Sequence, residues 1–246
     1  LTARADHRLG IAPNPEGKAY SIGLKDTSRV LTLLLTRHGH TDRSEPEQYL
    51  GQRINAELSA RGRADARKLA RRLADVEIKR VVSSPLKRAS ETADILARSH
   101  GIAVEPEPRL LELDYGDWEG HTLEDINALF PGEYEKYDRD PAHHQVGGGE
   151  SGTEVAARLW PVIDELIDWA EKRGRESTAL VVGHSSTNRI LLAMLLGVEL
   201  NDYRRRFDQD WTNLTVLRWP DRASGSRLLL SNDQSHVRGM RGVTWG

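Results

Sequence analysis

From residue 30 onward, short leucine-rich or β-branched runs alternate with longer segments whose apolar residues recur at helical spacing, and this alternation confines the chain to α/β architectures. A strand over 30–36 leads to a helix opening near Ser59, whose hydroxyl suits an N-cap, with Ala66, Leu69, Ala70 and Leu73 on one face. A second strand over 79–83 runs into Ser84-Pro85, which reads as a serine cap with proline at the first helical position, ahead of an Ala89, Ala93, Leu96 stripe. A third short strand over 102–105 ends at Pro106 and Pro108. Ser151-Gly152-Thr153-Glu154 forms a capping box before a long helix carrying Val155, Leu159, Val162, Leu166 and Ala170. A fourth strand over 178–182 runs through Gly183-His184-Ser185-Ser186 into a helix bearing Ile190, Leu191, Met194 and Leu195. Strands over 215–219 and 227–231, separated by a polar loop, form an antiparallel hairpin. The expected fold is a three-layer α/β/α sandwich: a mostly parallel central sheet, helices on both faces, and a C-terminal antiparallel hairpin.

Residues 1–29 read as a polar N-terminal extension, and 30–246 as one domain with a cap inserted at about 113–150. That cap carries its own helix after Thr122, with Asp125 completing an approximate capping box. A net charge of −2 gives no case for nucleic acid, and the absence of cysteine removes thiol nucleophiles, thiolate metal sites and disulfides. No apolar run approaches membrane-spanning length, and residues 1–29 lack a charged start followed by an apolar core, so a cytoplasmic protein without membrane partners is expected.

Three parallel strands end in polar clusters: Arg37-His38-Gly39-His40-Thr41, Ser83-Ser84-Pro85-Leu86-Lys87-Arg88 and Gly183-His184-Ser185. Ligands in such sheets bind beyond the carboxyl ends of the strands, so these clusters should share one pocket with the carboxylates of 112–119. Two converging arginines require a compensating anion, and the guanidinium fork matches phosphate oxygens. Their field also holds a neighbouring histidine neutral and nucleophilic. A carboxyl group must then protonate the leaving alkoxide and activate water.

With these residues in place, the sequence from about Leu31 to Val237 resembles the histidine phosphatase superfamily, also called the phosphoglycerate mutase-like family. The resemblance rests on Arg-His-Gly at 37–39 after a hydrophobic strand, Ser-Ser-Pro-Leu-Lys-Arg-Ala-Ser-Glu-Thr-Ala at 83–93, Gly-Asp-Trp-Glu-Gly at 116–120, Gly-Gly-Glu-Ser at 148–151 and Val-Val-Gly-His at 181–184. It implies that His38 becomes a phosphohistidine, that Arg37, Arg88 and His184 hold the phosphoryl oxygens, and that Glu112 is the proton donor. Thr41 and Ser44 are further phosphate-binding candidates, Ser44 standing where the family often has Asn. No metal or other cofactor is implied; the partner is a small-molecule phosphate monoester, and family habit implies a homodimer.

Several other readings compete. Asp114, Asp117 and Glu119 rival Glu112 as the acid, and His38 with His40 could be read as a metal pair lacking a third ligand. Gly183-His184-Ser185-Ser186-Thr187 resembles a nucleophile elbow, with Asp210 or Asp233 and His236 downstream, but Thr187 replaces the second glycine. Arg204-Arg205-Arg206 reads as a solvated face, and His143-His144 as cap surface. Tyr49, His40 and Arg189 are expected at the pocket rim with the cap. Between Leu110 and Glu135 stand eight acidic residues and no Lys or Arg, a poor host for a second substrate anion. That favours a phosphatase over a phosphoglycerate-type mutase; a non-catalytic phospho-ligand-binding protein is the third alternative.

Overall fold

The computed structural model describes residues 31–238, so the anticipated N-terminal extension lies outside the described residues. The leading strand, β1 (Leu31–Arg37), is buried on both faces: Leu33 and Leu35 enter one hydrophobic core and Leu34 the other, as the two-residue period of a strand requires. The chain continues through α1 (Ala60–Leu73), β2 (Ile78–Ser83), α2 (Lys87–Ala97), β3 (Val104–Pro106), α3 (Leu123–Leu129), α4 (Glu133–Arg139), α5 (Gly152–Arg173), β4 (Ser177–Gly183), α6 (Ser185–Leu196), α7 (Tyr203–Arg206), β5 (Leu214–Trp219), β6 (Arg227–Asp233) and α8 (Ser235–Arg238).

The sheet order is β3-β2-β4-β1-β5-β6. The first four of these strands run parallel, β5 pairs antiparallel with β1, and β6 closes the hairpin. Leu69 and Leu73 of α1 and Ala89, Ala93 and Leu96 of α2 cover one face with Leu34 and Val81. Leu159, Ile163 and Leu166 of α5 and Ile190 and Leu191 of α6 cover the other with Leu33 and Leu35. The α/β/α layering with a terminal hairpin is therefore the observed fold.

Local signals are obeyed where a side chain can act within its own turn. Ser59 accepts from the Gly62 N–H, and the Ser151/Glu154 and Thr122/Asp125 capping boxes both close. Ser84-Pro85 departs from the expectation: α2 begins at Lys87, its N-cap is Leu86 without a side-chain bond, and Ser84 turns into the interior. Residues 113–150 hold two helices, α3 and α4, where the sequence pattern indicates one. The third strand lies later than anticipated and includes Pro106, which a sheet edge tolerates. Among the described residues no helix is long and apolar enough to cross a membrane.

Candidate active site

Strand register levels the carboxyl ends of the parallel strands. Arg37 pairs with Gly183 and Ser83 with Val182, so the three polar clusters emerge side by side. A cleft of about 280 Å³ opens there, with Arg37, His38, Ser44, Arg88 and Glu112 on its wall. Gly39 and Gly62 make this possible: a Cβ on Gly62 would sit 2.1 Å from the His40 carbonyl oxygen, so the loop after β1 can press on the start of α1 only through glycine.

His38 is held in one orientation and one tautomer. Its backbone N–H donates to the Gly183 carbonyl at 3.0 Å, and ring Nδ1 lies 2.7 Å from the Gly39 carbonyl oxygen. A carbonyl only accepts, so Nδ1 carries the proton and neutral Nε2 keeps its lone pair. Burial first, then the positive charges of Arg88 and Arg37, hold its pKa well below 6.5. His184 packs against it with ring centroids 5.1 Å apart and is likewise held neutral by burial, then Arg88 and His38. Its Nε2 meets Ser84 Oγ at 2.8 Å while its buried Nδ1 has no protein partner. The serine expected to cap a helix therefore orients a histidine instead.

Both arginines are pre-positioned by backbone carbonyls. Arg88, 1% exposed, donates to Gly51 at 2.7 Å and Ile54 at 3.0 Å, leaving Nε unpartnered. Burial lowers its pKa to about 10, against the pull of Glu112, so it stays charged at neutral pH. Arg37 donates to the Gln209 carbonyl at 3.0 Å and to Glu47 at 2.6 Å, and its guanidinium lies 4.4 Å from the centre of the Trp211 ring.

Of the four competing acids, only Glu112 reaches the cleft wall. It sits at the start of α6, where Oε1 accepts from the Thr187 N–H (3.0 Å), the Thr187 hydroxyl (3.0 Å) and the Leu113 N–H (2.9 Å), and Oε2 accepts from the Ser186 N–H at 3.2 Å. Oε2, with the fewer bonds, retains capacity for a proton. The Glu112 carbonyl is fixed in turn by Gln52 and Arg158, both bound to Glu150. Asp117 is exposed, and Asp114 accepts from the Gly116 N–H.

Glu119 supports the site from outside the cleft. Its carboxylate accepts from the N–H groups of Gln52, Arg53 and Ile54, shaping the loop whose carbonyls hold Arg88. Glu119→Gln turns an amide NH₂ toward those donors, and the expected outcome is a loss of roughly 1–3 kcal/mol in chemical denaturation together with weaker phosphate binding. Unchanged stability would show that the loop holds itself.

Other expectations are redistributed. Thr41 sits behind Ser44, its N–H donating to Ser44 Oγ at 2.9 Å and the two hydroxyls 3.3 Å apart, so only Ser44 reaches the wall. His40 is not at the rim; it turns away and stacks on Trp211 at 4.2 Å. Tyr49 and Arg189 do line the cleft. Arg204 is no solvated residue: it lines the cleft over the Tyr137 ring and bonds Asp138 and Tyr134. The cleft thus draws cations from outside 110–135, and the lack of Lys and Arg in that stretch does not leave it unable to host a second anion. His236 directs Nε2 at the Thr212 carbonyl and Nδ1 at Arg72, so it makes no triad with Ser185. Among the described residues no group of three or more His, Cys, Asp or Glu side chains gathers as a cation site.

Sequence reasoning placed Ser84 in the pocket but not against His184, and it gave Gln52, Glu150, Arg158, Thr187 and Trp211 no supporting role in this site. Most of their partners lie far away in the chain, the Glu150–Arg158 pair eight residues apart being the exception.

Comparison with known proteins gives consistent results. The model of the histidine phosphatase superfamily (branch 1) matches residues 33–234. Phosphoserine phosphatase 1 of Hydrogenobacter thermophilus is 30% identical over 71% of this chain and 80% of its own length. Glucosyl-3-phosphoglycerate phosphatase of Mycolicibacterium vanbaalenii is 35% identical over 71% of this chain and 78% of its own. The solved native structure of a mycobacterial glucosyl-3-phosphoglycerate phosphatase superposes with a TM-score of 0.75 and 32% identity, covering 82% of this chain and 99% of that one.

Proposed function

The chain belongs to the histidine phosphatase superfamily, and from that premise we propose that it is a phosphomonoesterase that hydrolyses a small phosphorylated metabolite through a phosphohistidine on His38. The observation that carries this reading is His38 itself, locked through Nδ1 to the Gly39 carbonyl and kept neutral on a cleft wall shared with Arg37 and Arg88. The phosphatase names of the relatives support the hydrolytic outcome.

In this mechanism Nε2 of His38 attacks phosphorus as the ester P–O bond breaks. Arg37, Arg88, the free Nδ1–H of His184 and the Ser44 hydroxyl take the charge on the equatorial oxygens. Thr41 acts by holding Ser44. Glu112 gives its proton from Oε2 to the departing alkoxide, then takes one from water; the resulting hydroxide attacks phosphorus, the P–N bond breaks, and phosphate leaves. No step calls for a metal.

An aryl phosphate assayed with a chelator tests the reading: turnover should persist, and acid quenching should trap acid-labile phosphate on the protein. Phosphoryl transfer to a second hydroxyl rather than to water would make the protein a mutase. Phosphate binding without turnover would make it a binding module.

The pH response follows from the neutral histidine. A depressed pKa keeps His38 nucleophilic as pH falls past 6.5 and removes the nucleophile only at the lower value. Imidazole NMR resonances of His38 should therefore still report the neutral ring at about pH 6 in the free enzyme. Titration at or above the ordinary value would contradict the assigned electrostatics.

A further inference from the structure

The two arginines assigned to the phosphoryl group differ in what holds them. Arg88 is held by carbonyl oxygens alone, whereas Nη2 of Arg37 donates to the carboxylate of Glu47 at 2.6 Å. Arg37 and Glu47 both line the cleft. The other acid of the same loop, Glu45, pairs with Arg61 of α1 and is not on the cleft wall. Glu47 thus sets a negative charge on the guanidinium whose buried Nε has no protein partner and faces the work of binding phosphoryl oxygens.

Of this pair, Glu47 is the member free to leave. The Arg37 side chain is 11% exposed and is secured without it: Nη1 donates to the Gln209 carbonyl at 3.0 Å, and the Trp211 ring centre lies 4.4 Å from the guanidinium carbon. The Glu47 side chain is 56% exposed, and among the described residues its carboxylate bonds only Arg37. The backbone beneath it is tied down, Glu47 bridging to Ser44 and Gln48 to Thr122, so the side chain can turn out to water while the loop stays in place. An exposed carboxylate loses little on exchanging an arginine for water, and a phosphoryl dianion on the same guanidinium is repelled for as long as the carboxylate remains.

Resting on the phosphomonoesterase reading, we propose that Glu47 is a resident anionic ligand of Arg37, which an incoming phosphoryl group must displace and which returns as phosphate leaves. It acts through Arg37 and touches no reacting atom. Its effect is to weaken the hold on inorganic phosphate and so to relieve inhibition by the product. The phosphoryl group carries its negative charge in the bound ester, the phosphoenzyme and the transition states alike, so the opposition of Glu47 falls on binding rather than on the chemical steps.

The test measures the binding of inorganic phosphate by calorimetry, and the hydrolysis of an aryl phosphate, in the wild type, Glu47→Gln and Glu47→Ala. Glutamine keeps the shape of the side chain and removes its charge; alanine removes both. Each variant should bind phosphate about tenfold more tightly, the repulsion of a half-exposed carboxylate on a nearby dianion, and kcat/KM should rise by a similar factor with no gain in kcat. Raising the salt to about 1 M should shrink the difference between Glu47→Gln and the wild type, because it screens a charge that faces water. Weaker phosphate binding in Glu47→Gln would overturn the proposal and make Glu47 a support of Arg37. Unchanged binding would overturn it too, as would a gain that persists undiminished at high salt. Failure of the wild type to hydrolyse the aryl phosphate would overturn the phosphomonoesterase reading instead, and the phosphate titration, which needs no turnover, would still decide the role of Glu47.

Discussion

On the proposed mechanism, His38→Ala is expected to lower aryl phosphate turnover on the order of 10⁴-fold or more, because no other side chain of the cleft is set up to carry the phosphoryl group. The chain has no cysteine. Ser185 reaches the cleft, but His236, the base that the serine-hydrolase reading assigned to it, is directed at the Thr212 carbonyl and Arg72. His184 cannot take over, since its Nε2 is committed to Ser84. Acid-labile protein phosphate should disappear with the activity, while inorganic phosphate should still bind through the two arginines. Residual turnover within tenfold of the wild type would mean that the nucleophile lies elsewhere.

Arg88→Met carries the second large effect, and activity and stability should part company. Removing a donor that faces transition-state charge costs about 10³-fold in kcat/KM. The folded protein, however, already bears a cost for this charge: lowering the guanidinium from its ordinary value to about 10 corresponds to roughly 3 kcal/mol of unfavourable burial. Against that relief stands the loss of hydrogen bonds to the Gly51 and Ile54 carbonyls, about 1–2 kcal/mol each. The two nearly cancel, so the unfolding midpoint should move little although the enzyme is crippled. A fall in stability of several kcal/mol, seen in denaturant titration, would show that Arg88 is chiefly a structural tie. The same substitution removes a principal positive charge from His38, and its imidazole titration should move up toward 6.5.

Arg88 also marks where sequence reading reached its limit. That it belongs to the site was legible, because Ser-Ser-Pro-Leu-Lys-Arg follows a hydrophobic strand and parallel strands deliver their ends to one edge. What holds it was not. Gly51 and Ile54 belong to an irregular loop shaped by Glu119, itself 65 residues from Ile54 in sequence, and no periodicity connects them. The choice of Glu112 among four nearby acids was open for the same reason, since its donors at Ser186 and Thr187 lie 74 and 75 residues away.

By itself the sequence determined the sheet, its helices and the meeting of Arg37, His38, Arg88 and His184. Those depend on periods of two and about 3.6 residues and on the shared direction of parallel strands, which act within one element or one βαβ unit. Tertiary structure alone decided the rest: that Ser84 serves His184 rather than α2, that His40 leaves the rim for Trp211, and that Arg204 adds a cation that residues 110–135 lack. Each of these is a competition for a buried polar or charged group among distant partners. Desolvation settles such contests only once the chain has packed.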